Sequence, residues 1–335
     1  NHVVPRVTLQ TVADHVGVSR MTVSNAFSRP DQLSAELRQR ILDAADELGY
    51  AGPDPAARAL ARGTTGAVGV LLTDSLHYAF TDEVAGLFLG AIARELEADG
   101  LALTLLSSSP TLGTVPARDV PMDAAVVYSC DPASVAIDWL RRRKLPMVFV
   151  DQDPQPGITS INIDDRAGAR AAADHLVALG HRRVGIVTSN FDRPVGVVDD
   201  PATAFTGHVT EQRMAGWLEA LRAVEASVTV VQQNASSDQS GRAGADLLLD
   251  ASVPPTAILC FSDSMAYGVV QAAEAQALRV PHDLSVVGFD DSPFAARLQP
   301  ALTTVRQDVT AKGHAAATEL RAVLERSRAG GAVTA

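Results

Sequence analysis

Along the first fifty residues, apolar side chains recur at helical spacing and stop at turn-forming residues. Leu9, Val12, Ala13 and Val16 fall at i, i+3, i+4 and i+7, one stripe of a short helix that Thr8 is placed to cap. Gly17 supplies the left-handed backbone of a tight turn, and Ser19 can cap a second helix by accepting from the amide of Thr22 or its neighbour. In that second helix Val23, Ala26 and Phe27 face the first. A third helix is expected from about Ala35 to Leu48, with Ser34 as its cap, Leu37, Ile41, Ala45 and Leu48 as its stripe, and Gly49 as its stop. Three such helices make a unit of about fifty residues, only marginally stable by itself.

The pattern then changes twice. In AGPDPAARALARG, Asp54 followed by Pro55 is a helix start and the alanines are strong helix formers, yet Gly63 ends the run after about eight residues, short of what an isolated helix needs in water. The segment is expected to be coil when free and helix when docked; a plain linker is the competing reading. From Ala67 onward, apolar runs alternate with amphipathic helices. AVGVLLTDS, LALTLLSSS, AAVVYSC, PMVFVDQD, RRVGIVTSN, VTVVQQN, AILCFSD and LSVVGFDD read as strands buried on both faces. Helices are expected near 81–99, 132–144, 166–179, 207–223, 239–250 and 264–277. That alternation predicts an α/β architecture of doubly wound parallel sheets, with more strands than one sheet holds comfortably, so two sheets. INIDDRAGARAAADHL, a short strand and then a helix opened by Asp164 and Asp165, suggests where they divide. The stretch from Leu106 to Ala124 contains Pro110, Pro116 and Pro121 and is too broken for a full crossover helix.

A length of 335 residues fits two or three domains, and 47% apolar residues fit a globular protein. Cys130 and Cys260 lie far apart in apolar runs, as buried free thiols do, which suits a reducing cytosol. No stretch is long and apolar enough to span a membrane, and the first residues carry no signal-peptide pattern. A cytoplasmic location is expected. The net charge of -11 argues against generic nucleic-acid binding, because phosphate contact needs Lys and Arg. Its distribution changes that picture: residues 1–30 hold Arg6, Arg20 and Arg29 against Asp14 alone, and the whole acidic excess falls after residue 62.

The outer side of the second helix carries Arg20, Met21, Ser24 and Asn25, groups able to read base edges: Arg pairs with guanine, Asn with adenine, and an apolar group meets the thymine methyl. It reads as the recognition helix of a helix-turn-helix, against a hairpin whose outer face is merely mixed. Arg38 and Arg40 are candidates for phosphate contact. In the α/β part, open parallel sheets bind ligands beyond the carboxyl ends of their strands. The polar residues there are Asp74, Ser75, Asp151, Asp153, Asn190, Ser262, Asp263, Asp290, Asp291, Arg306 and Gln307, carboxylates beside cations of the kind a polyhydroxylated ligand needs. Asp165 and Asp263 read better as helix caps than as ligands, and Asp291 admits the same reading. No dinucleotide, P-loop or nucleophile-elbow motif and no metal spacing among the histidines is present, so no cofactor and no metal are expected. GLFLG reads as helix packing, and His175 and His181 as residues flanking a helix end.

TLQTVADHVGVSRMTVSNAF, the GY before ARALA, and further matches nearly to the C-terminus resemble the LacI/GalR family of bacterial transcription regulators. The resemblance implies a headpiece at 1–50, a hinge helix and linker at 51–65, and two periplasmic-binding-protein-like subdomains. These are 66–165 with 309–335, and 166–308, joined by three crossings and closing on a ligand. It implies DNA contact by Thr8, Ser19, Arg20, Met21, Thr22, Ser24 and Asn25, with Arg58 and the wedge Leu60 in the minor groove. Ala61 stands where relatives often carry Lys, and Asn25 where several carry Arg or His, so known operators do not transfer. The resemblance places Asp151, Arg213 and Asp290 at sugar-binding positions, with Gln307 and Tyr78 or Phe80 lining the cleft and Val209 replacing a hydroxyl. AGGAVTA ends before the last strand of relatives and carries no heptad, so a homodimer rather than a tetramer is expected. The expected function is a DNA-binding regulator, a repressor, controlled by a small-molecule effector, a carbohydrate. A helix-turn-helix fused to a sugar-phosphate-processing enzyme domain is the alternative.

Overall fold

The computed structural model describes residues 7–72, 76–108, 114–190, 194–200 and 205–331. The chain divides into two units, Asn1–Gly66 and Ala67–Ala335.

The first unit holds α1 (Leu9–Val16), α2 (Arg20–Ser28), a 3-10 turn at Pro30–Gln32, α3 (Ala35–Glu47) and α4 (Pro55–Arg62). Its ends are set locally. Thr8 Oγ1 accepts from the Thr11 amide at 3.3 Å, Ser19 Oγ from Thr22 at 3.1 Å and Ser34 Oγ from Leu37 at 3.3 Å. Gly17, at φ 78°, allows the turn between α1 and α2. Val12, Ala13, Val23, Ala26, Ile41 and Ala45 form the core, flanked by Leu9, Phe27, Leu37 and Tyr50. The segment expected to be conditional is helical: Asp54 Oδ1 accepts from the amides of Ala56 and Ala57 at 2.8 and 3.2 Å, Pro55 fixes the first turn, and Gly63 stops it. No described side chain of α4 is buried. Capping and alanine propensity, not packing, hold its shape.

The second unit is built on two sheets. The first contains β1 (Ala67–Leu72), β2 (Ala102–Ser107), β3 (Ala124–Tyr128), β4 (Met147–Val150) and β5 (Thr159–Ile161), all parallel, in the order β2-β1-β3-β4-β5. It is covered by α5 (Tyr78–Thr81), α6 (Glu83–Ala98), α7 (Pro116–Asp119) and α8 (Val135–Arg142). Four-residue α7 stands where a crossover helix would run, Pro116 in its first turn. The second sheet contains β6 (Arg183–Ser189), β7 (Gly196–Val197), β8 (Ser227–Gln233), β9 (Ala257–Cys260), β10 (Ser285–Asp290) and β11 (Thr303–Arg306), ordered β11-β10-β9-β6-β8-β7, with only β7 antiparallel. Its helices are α9 (Asp165–Ala178), α10 (His208–Arg222), α11 (Asp238–Leu249) and α12 (Asp263–Ala275). Strands β7 and β11 escape the hydrophobic pattern because they lie at sheet edges and lack a buried apolar run.

The last helix, α13 (Val309–Gly331), returns to the first sheet, where Ala316, Ala317, Leu320 and Leu324 pack with Phe88, Ile92 and Val126. Among the described residues the chain therefore crosses between the sheets twice, from β5 to α9 and from β11 to α13, not three times. Each sheet has apolar clusters on both faces, as double winding requires. Helices pair closely over the second sheet because a Cβ at Gly216 would fall on the carbonyl oxygen of Arg166, and one at Gly268 on that of Asp238. Gly86 and Gly90 behave differently: nothing lies within 4 Å of either Cβ position, so the packing of GLFLG rests on Phe88 and Leu89, not on its glycines. Cys130 and Cys260 are buried free thiols.

Candidate functional site

On the first unit, α2 turns Val23 and Ala26 inward, which forces Arg20 and Met21 outward; Met21 is 70% exposed. Thr22, Ser24 and Asn25 are partly exposed on the same helix. Asn25 Nδ2 donates to Gln32 Oε1 at 3.2 Å, which holds its amide plane against the 3-10 turn. The hydroxyls of Thr8 and Ser19 cap α1 and α2, so their side chains shape the motif. Arg38, a candidate for phosphate, instead donates from Nε to the Ala26 carbonyl at the end of α2, while Arg40 stays exposed. Arg58 is exposed and Leu60 is 87% exposed, the highest exposure among the large hydrophobic side chains of the described residues.

On the second unit, the carboxyl ends of the two sheets line a cavity that opens to solvent. Asp151, Arg213, Asp290 and Gln307 line it together, with Val209, Tyr128 and Phe261. Arg213 is 4% exposed: its Nε donates to Asp165 Oδ1 at 2.8 Å, its Nη1 donates to the Phe261 carbonyl, and its guanidinium lies 3.5 Å from the Phe289 ring centre. Asp290 Oδ1 is 3.8 Å from Nη1. Facing this group, Lys312 Nζ donates to both oxygens of Asp151 at 2.8 Å and to Gln307 Oε1 at 2.9 Å. Gln307 Nε2 in turn donates to Asp290 Oδ1 at 2.5 Å. One polar chain thus runs from Lys312 on α13, through Gln307 at the crossing, to the carboxylate ending β10.

Burial governs the electrostatics. It pushes the Asp290 carboxyl up to about 8; Arg213 opposes the rise, while Asp263 and Asp82 add to it. Burial also raises Asp151 against the pull of Lys312. Both cations buried among the described residues, Arg213 and Lys312, already have a carboxylate partner, so Asp290 is the acid most easily held neutral, able to donate as well as accept. Backbone strain gathers at the same edge: Ser129, Asp151 and Asp290 have φ of 48°, 54° and 123°.

Several assignments change. Asp165 does not cap α9; Asp164 does, accepting from the Ala167 amide at 2.9 Å, which leaves Asp165 to hold Arg213. Asp263 does not cap α12; Ser262 does, and buried Asp263 accepts from the Ser292 amide and hydroxyl and from Thr304 Oγ1. Asp291 caps nothing but pairs with exposed Arg306 at 2.6 Å, outside the cavity lining. Phe80 is 78% exposed and lines a neighbouring groove, not the cavity; Asp82 and Val84, one turn later, take the wall. Tyr78 opens α5, but its side chain lies outside the described residues, as do Asp74 and Ser75. Asn190 is buried, and its Oδ1 accepts from the Thr206 amide. The sequence reading missed Lys312, although a signal existed: the chain has 26 arginines and only two lysines, so a lysine amid apolar helix positions stood out.

Comparison with known proteins agrees with this architecture. The family described as bacterial regulatory proteins, lacI family, matches residues 8–52, and a periplasmic binding protein-like domain matches 173–334. An HTH-type transcriptional regulator of Mycobacterium tuberculosis is 39% identical over 322 residues, covering 93% of this chain and 89% of that protein. The HTH-type transcriptional regulator IpsA of Corynebacterium glutamicum is 36% identical, covering 95% and 92%. A LacI-family regulator from Corynebacterium glutamicum, solved by crystallography, superposes with a TM-score of 0.71 at 34% identity, covering 95% and 93%. The lac repressor dimer bound to operator and the anti-inducer ONPF superposes with 0.75 at 26% identity, again covering 95% and 93%. This chain belongs to the lacI family of bacterial regulatory proteins, as a helix-turn-helix transcriptional regulator with an effector-binding domain.

Proposed function

We propose that the protein is a homodimeric repressor that releases or grips an operator according to a small polyhydroxylated ligand, a carbohydrate, held between its two sheets. Arg20, Met21 and Asn25 face the major groove of one half-site, with Thr8, Ser19, Thr22 and Ser24 against the backbone. Leu60 of each copy wedges into the central minor groove beside Arg58. In the cleft, Arg213, Asp290, Asp151 and Gln307 bind the hydroxyls, each of which donates and accepts at once.

The observation that carries this reading is Leu60, a large apolar side chain left 87% exposed on a capped helix. Such a surface calls for an apolar partner, and an unstacked base step offers one. The ligand acts by differential affinity for two arrangements of the sheets; a coupling of about 1–3 kcal/mol changes operator affinity roughly 5- to 150-fold. Titration of the full chain against genomic fragments and random duplexes at physiological salt tests it. A specific site bound at least about a thousandfold more tightly is expected, with Leu60→Ala removing most of that preference. Equal affinity for random and genomic DNA refutes the reading.

A further inference from the structure

Asp153 follows β4 on one bank of the cleft, and His208 begins α10 on the other. Their side chains meet, with His208 Nδ1 2.8 Å from Asp153 Oδ1. His208 is nearly buried and lines the cavity, while Asp153 is half exposed. The two residues belong to sheets with separate apolar cores, joined by the short crossings near 162–164 and 307–308. A bond between the banks therefore resists opening in a way that no contact within one sheet does. Arg297 and Glu83 also approach across the division, but at 3.8 Å.

The surroundings make this contact sensitive to protons. Glu211 lies one turn along α10 from His208, and burial together with Asp153 pushes its carboxyl up while His208 pulls it back. A charged imidazole pairs with Asp153 across the cleft and also attracts Glu211, whereas a neutral one leaves the two carboxylates to repel each other. The other titratable groups on this cavity are Asp151, paired to Lys312, Arg213, paired to Asp165, Asp82, and Asp290, whose carboxyl is held up to about 8. None of the cations among them is left to replace the imidazolium.

We infer that His208 and Asp153 form a proton-sensitive latch, which holds the cleft closed while the imidazole is charged and loosens when it is not. Protonation of the imidazole adds an ion pair across the cleft, so closure is strongest where the imidazole is charged and weaker where it is neutral. His208 is a positioning residue here. The latch concerns closure alone, so its failure leaves the DNA-binding reading untouched.

Spin labels at Ala133→Cys and Gln239→Cys in the full chain test it. Both sites are exposed and lie three residues beyond cavity-lining Cys130 and Ser236 on opposite banks, and the native cysteines are buried. Distances are read at about pH 5.5 and about pH 8.5, either side of the ordinary histidine range. A shorter, narrower distribution at the lower pH is expected, with Asp153→Asn giving the longer one at both. His208→Gln must give the same result from the other bank. A distance that ignores pH in the parent, or a pH response that survives both substitutions, overturns the latch.

Discussion

Asp290 ends its strand at φ 123°, buried, with Gln307 and Arg213 beside it and a carboxyl held near 8. In the unfolded chain the same group titrates near 3.8. Between those values the native state keeps a proton that the unfolded state has lost, so stability falls as pH rises through the window. The slope from this residue alone is at most about 1.4 kcal/mol per pH unit. Asp283 works the other way: Arg279 holds it at about 2, but it is exposed, and its effect is complete above about pH 5. Urea unfolding from about pH 5 to about pH 8 should therefore show declining stability in the parent and a flatter profile in Asp290→Asn; identical slopes would place Asp290's proton elsewhere. That Asp290 ends a strand at the ligand-binding edge was legible from the residue pattern, whereas Arg213 beside it was implied only by the resemblance to the family. That Asp165 rather than Asp290 is the closer partner of Arg213 was not legible, because a first-turn aspartate satisfies the pattern of a cap whether or not it turns inward.

Helices over the second sheet approach until backbone meets backbone. At Gly268 the space for a Cβ is occupied by the Asp238 carbonyl oxygen, part of α11 and unable to move without its helix. Gly268→Ala should lower the stability of the α/β unit by about 1–3 kcal/mol or more, measured by thermal or urea unfolding; a neutral result would mean that α11 and α12 are less closely packed. Gly86→Ala meets no atom within 4 Å and makes the natural contrast. Of these elements, the caps at Thr8, Ser19, Ser34 and Asp54 and the glycine stops were readable, since they depend on neighbours within a turn. Edge strands β7 and β11 were not, since their pairing depends on chain far away.

At the scale of the molecule, acidic α/β unit and helix-turn-helix unit divide the work, and the ligand's binding energy is useful only as far as it differs between states of the sheets. A thermal-shift screen of neutral sugars, sugar phosphates and nucleobases should find a compound that raises the melting temperature of the parent. Arg213→Ala should abolish that rise while keeping specific DNA binding. It should also lower the melting temperature of the unliganded protein, because Asp165 is left buried without its cation, a loss of about 3–5 kcal/mol in comparable pairs. A ligand-induced rise that survives the substitution would remove Arg213 from the cleft.

The sequence by itself determined the helices of the headpiece, the alternation of strand and helix, and the polar residues gathered at strand ends, because periodicity, caps and burial of both strand faces are written in residue order. Tertiary structure alone decided that α13 returns to the first sheet and brings Lys312 onto Asp151 and Gln307, and that Asp165 holds Arg213. It alone set His208 against Asp153. Those contacts join residues far apart in the chain, and partner choice among many carboxylates follows from which side chains share a dry space, a property of packing rather than of any local pattern.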